Sequence, residues 1–205
     1  MKKIFTVLML VMSISGICSG QLIVKNLRCE NRINPLGIDA LNPRFSWQLS
    51  ADHRNVLQTS YEIRVSDPSG KINFWRSGKQ QGTQSLFVPY EGLMLKPASV
   101  YYWQVRVWDN QGNVSDWSER AFWQMGLLDP GNWKARWIES GLASDTVNGP
   151  AILFRKQFSV NKKITAATAF VTTHGIYEAY FNDTRVGNAY LTPGWTSYNL
   201  SLIHI

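Results

Sequence analysis

Cysteine is nearly absent from this chain: two residues in 205, Cys18 and Cys29. Cys18 lies in an N-terminal stretch that reads as a removable export signal, which leaves Cys29 without an intramolecular partner, so a disulfide framework is excluded. Beside Leu27, Cys29 reads as a small buried hydrophobe. Histidine is nearly as scarce, with three residues. His53, His174 and His204 have neither the close spacing of a zinc pair nor cysteine partners, which removes the common zinc sites. Beyond the N-terminus there is no apolar run long enough to cross a bilayer, so no transmembrane span is expected in the mature chain. Sustained helical periodicity, internal repeats and low-complexity tracts are also lacking, which argues against helical bundles and solenoids.

The charge is one-sided but modest. The formal net charge is +7. The 21 basic residues fall to 19 without Lys2 and Lys3, against 14 acidic ones, so the exported chain carries +5. Its basic residues are spaced singly along strand-like segments (Arg64, Arg106, Arg155, Arg185), whereas nucleic-acid binding gathers Lys and Arg on one face. No nucleic-acid partner is expected. The balance suits an exported surface, and equally an acidic polysaccharide.

What the chain does have begins with its first twenty residues. Met1-Lys2-Lys3 is a short basic head, Ile4 to Met12 is apolar, and Ser13 to Gly20 is rich in small residues, with cleavage expected before Gln21. Residues 1–20 are therefore read as a signal peptide, and the mature protein as periplasmic or extracellular. Acylation at Cys18 is the alternative; Ile17 stands before it where Gly or Ala is usual.

The rest is rich in Val, Ile, Thr, Tyr, Phe and nine Trp, in short alternating runs between Gly, Pro, Asn and Asp clusters, which is the pattern of β-sandwiches. Predicted strands are Arg44–Leu49, Gln58–Asp67 (Tyr61, Ile63 and Val65 opposite Glu62, Arg64 and Ser66), a piece from Phe74 to Gly78, Val100–Asp109, and Phe122–Met125. Val100–Asp109 alternates most cleanly, with Tyr101, Trp103, Val105 and Val107 opposing Tyr102, Gln104, Arg106 and Trp108. Trp103, Trp108, Trp117 and Trp123 read as core and strand-face packing. Asp129-Pro130-Gly131-Asn132 is a compact turn and the expected boundary between modules at 22–128 and 133–199. In the second module, strands are predicted over Ala151–Phe158, Thr165–Thr172 and Gly175–Asn182, and a hairpin over Tyr180–Gly187 with its corner at Asn182-Asp183.

Two regions carry a resemblance. Leu95-x-Pro97, Tyr101-x-Trp103-x-Val105-x-Val107-x-Asp109 and Trp117-Ser118 resemble a fibronectin type III domain. The hairpin Asn182-Asp183-Thr184-Arg185-Val186-Gly187, followed by Pro193-Gly194-Trp195-Thr196-Ser197-Tyr198, closely resembles the N-terminal domain of bacterial α-L-rhamnosidases, glycoside hydrolase family 78. Asp183 departs from the glycine usual at that corner. The resemblance implies an all-β fold: a fibronectin type III-like sandwich followed by an incomplete jelly-roll-like β-sandwich. It also implies a parent enzyme that hydrolyses terminal α-L-rhamnose from glycosides or pectic polysaccharide, with inversion. Its catalytic carboxylates would lie in a missing C-terminal helical (α/α)₆ barrel. Leu200 to Ile205 departs from the family continuation and matches the translation of a transposon-end sequencing adapter. Residues 200–205 are read as such a tail; a natural terminal strand is the alternative.

A glycosidase needs two carboxylates across the scissile bond. Glu62, Glu91, Glu119, Glu139 and Glu178 are available, but no local context singles one out, so no catalytic residue is expected. Sugar contact is the better idea for the second module. Aromatic faces stack on a pyranose while Arg and Asn hold its hydroxyls, and Asn182, Arg185, Trp195 and Tyr198 supply that combination; packing between domains is the competing role. Asn182 and Asp183 also offer oxygens of the kind calcium takes, but both residue types tolerate positive φ, and the corner itself accounts for them. No cofactor is expected. Besides the enzyme-fragment reading, a free-standing carbohydrate-binding sandwich and a structural scaffold remain open.

Overall fold

The computed structural model describes residues 22–141 and 151–194 together with the backbone of Leu202–His204. Among the described residues there is no α-helix; a single 3₁₀ turn, Pro130–Asn132, interrupts an all-β chain. Eight strands lie before that turn: β1 (Ile23–Cys29), β2 (Arg44–Ser50), β3 (Gln58–Ser66), β4 (Asn73–Arg76), β5 (Gln80–Gln81), β6 (Val88–Pro89), β7 (Val100–Asp109) and β8 (Ala121–Gln124). They form two sheets, β1-β2-β6 and β4-β3-β7-β8, the second carrying β5 on β3; every pairing is antiparallel.

The longest ladder is β3 on β7. Its register sets Ile63 opposite Val105 and Val65 opposite Trp103 on one face, and Glu62 opposite Arg106 and Arg64 opposite Gln104 on the other. Burial along β7 alternates without a break, so Tyr101, Trp103, Val105 and Val107 enter the core while their neighbours stay half-exposed. This is the pleat of a strand with one face packed and one wet.

The core between the sheets is aromatic. Phe45 from β2 stacks on Trp103 from β7 at 4.4 Å between ring centroids, and meets Trp123 from β8 edge-on at 5.3 Å. Tyr101 stacks on Trp123 at 5.3 Å, and Trp75 meets Tyr90 edge-on at the same separation. Burying each such ring stabilises the fold by about 1.5–3 kcal/mol. Their polar atoms are satisfied. Trp47 Nε1 donates to Gln58 Oε1 (3.0 Å), and the Gln58 amide donates in turn to the Gly82 and Gln84 carbonyls. Tyr90 Oη donates to the Leu93 carbonyl, and burial pushes its phenol pKa up to about 12. Cys29 is buried in this core, and burial raises its thiol pKa, so it is a packing residue and not a nucleophile.

The turns carry their own chemistry. Asp67 accepts from the backbone N–H groups of Ser69 and Ile72, closing the turn through Gly70, whose φ is +74°. Asp109 does the same for Gln111 and Asn113 after β7. Before β7, the Tyr101 hydroxyl accepts the backbone N–H of Lys96 at 2.7 Å. A tyrosine at the start of this strand that bonds a few residues upstream is the corner found in immunoglobulin-like sandwiches.

Beyond the 3₁₀ turn the picture changes. The strands are β9 (Val171–Thr173), β10 (Tyr180–Phe181), β11 (Thr184–Arg185) and β12 (Leu202–His204), paired as β9 with β12 and β10 with β11. The predicted strand over Ala151–Phe158 is not formed. That over Thr165–Thr172 shrinks to Val171–Thr173, and that over Gly175–Asn182 to Tyr180–Phe181. Alternation prepares a strand, but only a partner supplying the ladder's N–H and C=O groups makes one. No described residue after Gly126 is fully buried, and Trp137, Leu153, Phe158 and Leu191 are exposed.

Two expectations follow from this division. Tyr101→Phe, which leaves the Lys96 N–H without its acceptor, lowers the stability of the first sandwich by about 1–3 kcal/mol, measured by chemical denaturation of tryptophan fluorescence. Ending the chain after Asp129 removes the uncovered apolar segment, so residues 22–129 remain monomeric in light scattering at concentrations where the longer chain aggregates.

Candidate functional site

The residues singled out in the second module fall at the β10–β11 hairpin. Its corner is Asn182-Asp183, with φ of +46° and +62°, so both central residues are left-handed as a type I′ turn requires. Both side chains are exposed. Arg185, opposite Tyr180 in the ladder, is drawn inward along its own segment. Its guanidinium donates to the Ala189 carbonyl, lies 4.2 Å from the centre of the Tyr190 ring, and faces Glu178 at 3.6 Å. Glu178 in turn accepts from the Tyr180 hydroxyl at 2.9 Å, and that bond raises the Tyr180 pKa. Arg185 thus clamps the hairpin to the following turn. Asn182 and Arg185 share this hairpin, while Trp195 and Tyr198 lie outside the described residues.

Hydrolysis of a glycoside requires one carboxylic acid with a raised pKa. The described carboxylates with displaced pKa values are all displaced downward. Glu30 is held low by hydrogen bonds from Arg44, which outweigh its burial. In Asp67 the Ser69 hydroxyl and the Ile72 N–H stabilise the charge. Burial opposes ionisation of Asp109, but the Asn113 side chain and the backbone donors of its turn prevail. Each of these is a capping or pairing anion, unsuited to donating a proton. Nor, among the described residues, do three His, Cys, Asp or Glu side chains converge as a metal site.

The sequence reading missed a different assembly, on the outer face of the β4-β3-β7-β8 sheet. Basic residues that are single in sequence come together there, because antiparallel register stacks alternate residues of neighbouring strands. Arg64 lies opposite Arg76 of β4 on one side and Gln104 of β7 on the other, and Arg106 lies opposite Glu62. The expectation that the basic residues are scattered is corrected for this face. Glu62 is buried between two guanidiniums, receiving Arg76 Nε at 2.7 Å and Arg106 Nε at 2.8 Å. Burial opposes its charge, yet these two partners hold its pKa below the ordinary glutamate value.

The cations of this face are stacked against rings. Arg64 lies 4.2 Å and Arg106 4.8 Å from the centre of Trp117; Arg106 lies 5.1 Å and Lys79 4.5 Å from that of Trp108. Arg120 covers Tyr102 at 4.3 Å. Trp103 and Trp123 are core rings, while Trp108 and Trp117 are half-buried members of this outer series. The signal available beforehand was the phase of the alternation: Arg64, Arg106 and Trp108 all sit on the polar side of their strands.

Among the described residues, the geometry defines a β-sandwich followed by a sparsely paired β segment. Comparison with known proteins agrees. Residues 24–129 match the Rha78A-like N-terminal immunoglobulin domain, and residues 162–203 match the α-L-rhamnosidase N-terminal domain. An α-L-rhamnosidase of Formosa agariphila is 34% identical over 199 residues, covering 84% of this chain and 21% of the relative. The solved structure of α-L-rhamnosidase from Dictyoglumus thermophilum superposes with a TM-score of 0.73 at 34% identity, over 89% of this chain and 23% of that one. The Streptomyces avermitilis α-L-rhamnosidase, solved with L-rhamnose, superposes with a TM-score of 0.56 at 38% identity, over 58% of this chain and 12% of that one. The chain belongs to the α-L-rhamnosidase family and corresponds to the N-terminal region of its members. It spans about a fifth of the length of the curated relatives it matches, and their catalytic domain is not part of it.

The buried carboxylate gives a pH-dependent test. Because the folded-state pKa of Glu62 is lowered, its stabilisation is complete above the unfolded range near ~4.3 and is lost as pH falls through the folded value. Glu62→Gln therefore destabilises the sandwich by about 1–3 kcal/mol at pH 7. The smaller end is expected because Arg76 keeps most of its side chain in water. Urea titrations of both proteins from pH 7 downward should show the gap closing once Glu62 protonates.

Proposed function

We propose that this chain is the exported, non-catalytic N-terminal portion of an α-L-rhamnosidase whose whole length removes terminal α-linked L-rhamnose from plant glycosides or pectic side chains. The observation that carries the reading is the paired match: an immunoglobulin-like domain and a rhamnosidase N-terminal domain, in that order, in enzymes about five times as long. The lowered pKa values of Glu30, Glu62, Asp67 and Asp109 support it, since none of these four is suited to be the acid of an inverting pair. In this reading the chain divides into modules at 22–128 and 133–199, and the missing partner is the catalytic domain. The uncovered apolar side chains of the second segment support a further role for that partner, as the surface that completes the second sandwich. Export is inferred from the layout of residues 1–20, which lie outside the described residues. Among the described residues no helix is long and apolar enough to cross a membrane.

A second reading, a free-standing sugar-binding sandwich, draws on the Asn182, Arg185 and Tyr190 cluster, which puts hydrogen-bonding groups beside an aromatic ring. The two separate in one pair of assays. Fused to the coding sequence that follows it in the source gene, the chain should release the chromophore from an aryl α-L-rhamnoside, while the 205-residue chain alone releases none. Calorimetric titration of the chain alone with rhamnose should show no saturable heat. Saturable binding abolished by Arg185→Ala would put the second reading first.

A further inference from the structure

From the outer face of the β4-β3-β7-β8 sheet we infer a docking surface for a carboxylated polysaccharide, a polyuronate. The face carries Arg64, Arg76, Arg106, Arg120 and Lys79 around one carboxylate, Glu62, whose two oxygens are already bound by Arg76 and Arg106. Asp67 is occupied with its own turn, and Asp116 and Glu119 are exposed at the rim beside Trp117. Arg64 therefore sits among three other guanidiniums and a single neutralised acid, and the field at its position is positive on balance.

Three features select the ligand class. Arg64, Arg106, Arg120 and Lys79 each lie against a ring and Arg76 is held by Glu62, so less side-chain freedom is lost when an anion docks than with unsupported Lys or Arg. The cations are spread across one face of a sheet, with the depression beside Trp117 at its edge, which suits an extended polymer with repeated charges better than a small anion. The ring surfaces are occupied by cations, with two against each of Trp108 and Trp117, so the open aromatic platforms on which nucleic-acid bases stack are not presented. Carboxylate suits the guanidinium fork, and a polymer carrying one per sugar presents such groups at regular intervals. The choice of a saccharide over another carboxylated polymer rests on the glycosidase reading above; the positive comb itself does not.

The test uses the full chain immobilised on a biosensor surface, with polygalacturonate as probe, its fully methyl-esterified form as the uncharged match, and dextran sulfate and single-stranded DNA as other polyanions. Polygalacturonate should bind, weaken as salt rises, and lose its affinity on esterification. Arg64→Gln should weaken binding roughly tenfold, the loss expected for a charged hydrogen-bond partner. The exposed double variant Lys79→Gln/Arg120→Gln, which leaves the packed part of the face intact, should do the same while near-UV circular dichroism is unchanged. The inference is overturned if polygalacturonate does not bind, if the ester binds equally, if both variants bind as the parent does, or if dextran sulfate or DNA binds as tightly. No rhamnose is present in the probe, so failure here leaves the hydrolysis assay untouched, and failure there leaves this result standing.

Discussion

The pairing of β3 with β7 is the constraint from which the rest of the first sandwich follows. Eight residue pairs fix its register, and a slip of one would exchange every side chain between the two faces. In the register adopted, Ile63, Val65, Trp103, Val105 and Val107 face β2 and its Phe45 and Trp47, and the aromatic cluster closes. The same register necessarily sends Glu62, Arg64, Gln104, Arg106 and Trp108 the other way. Core and outer face are two consequences of one ladder, and neither can be altered along β3 or β7 without regard to the other.

The outer face is accordingly unusual for the wet side of a sheet. A buried carboxylate is tolerable only with partners, because an unpaired buried charge is far more unfavourable than a paired one. Glu62 has partners on both flanking strands, so it links β4, β3 and β7 through side chains as the backbone ladder links them through amides. Arg64 and Arg106 gain a second anchor from Trp117 and Trp108, which shield them from water on one side without neutralising them. Rigidity and surplus positive charge thus arise together, and the structure of the face does not by itself require the surplus.

Much of this sandwich was legible in advance because its strands are long and strictly alternating. Gln58–Asp67 and Val100–Asp109 announce both their extent and their apolar face, Arg44–Leu49 announces its extent, and the turn chemistry of Asp67, Gly70 and Asp109 marks where strands stop. The two-residue strands β5 and β6 were not legible, since pairing with a neighbour and not local pattern defines them. The basic comb was hidden for a related reason: residues 64, 76, 106 and 120 are far apart in sequence, and only cross-strand register brings them together. In the second segment the local hairpin at Asn182-Asp183 was readable from turn preference. The longer strands were over-read from alternation alone, and of the four candidate contact residues two lie outside the described region.

The contrast between the two segments bears on how an accessory region works in a large hydrolase. A sandwich with a closed aromatic core needs nothing from its neighbours, so its outer face is free to meet something else. A segment whose apolar side chains remain uncovered gains its stability only on contact, since unpaired strands and exposed Leu and Phe are stabilised by whatever completes them. If that partner is the catalytic domain, the second module is structurally part of the enzyme body and moves with it. The first module, whose core is closed by its own side chains, meets the second segment at the Gln124–Thr168 hydrogen bonds. In the proposed reading, the cationic comb of the first module holds a polyuronate by many weak, screened contacts instead of one tight site, so that losing one contact does not release the polymer.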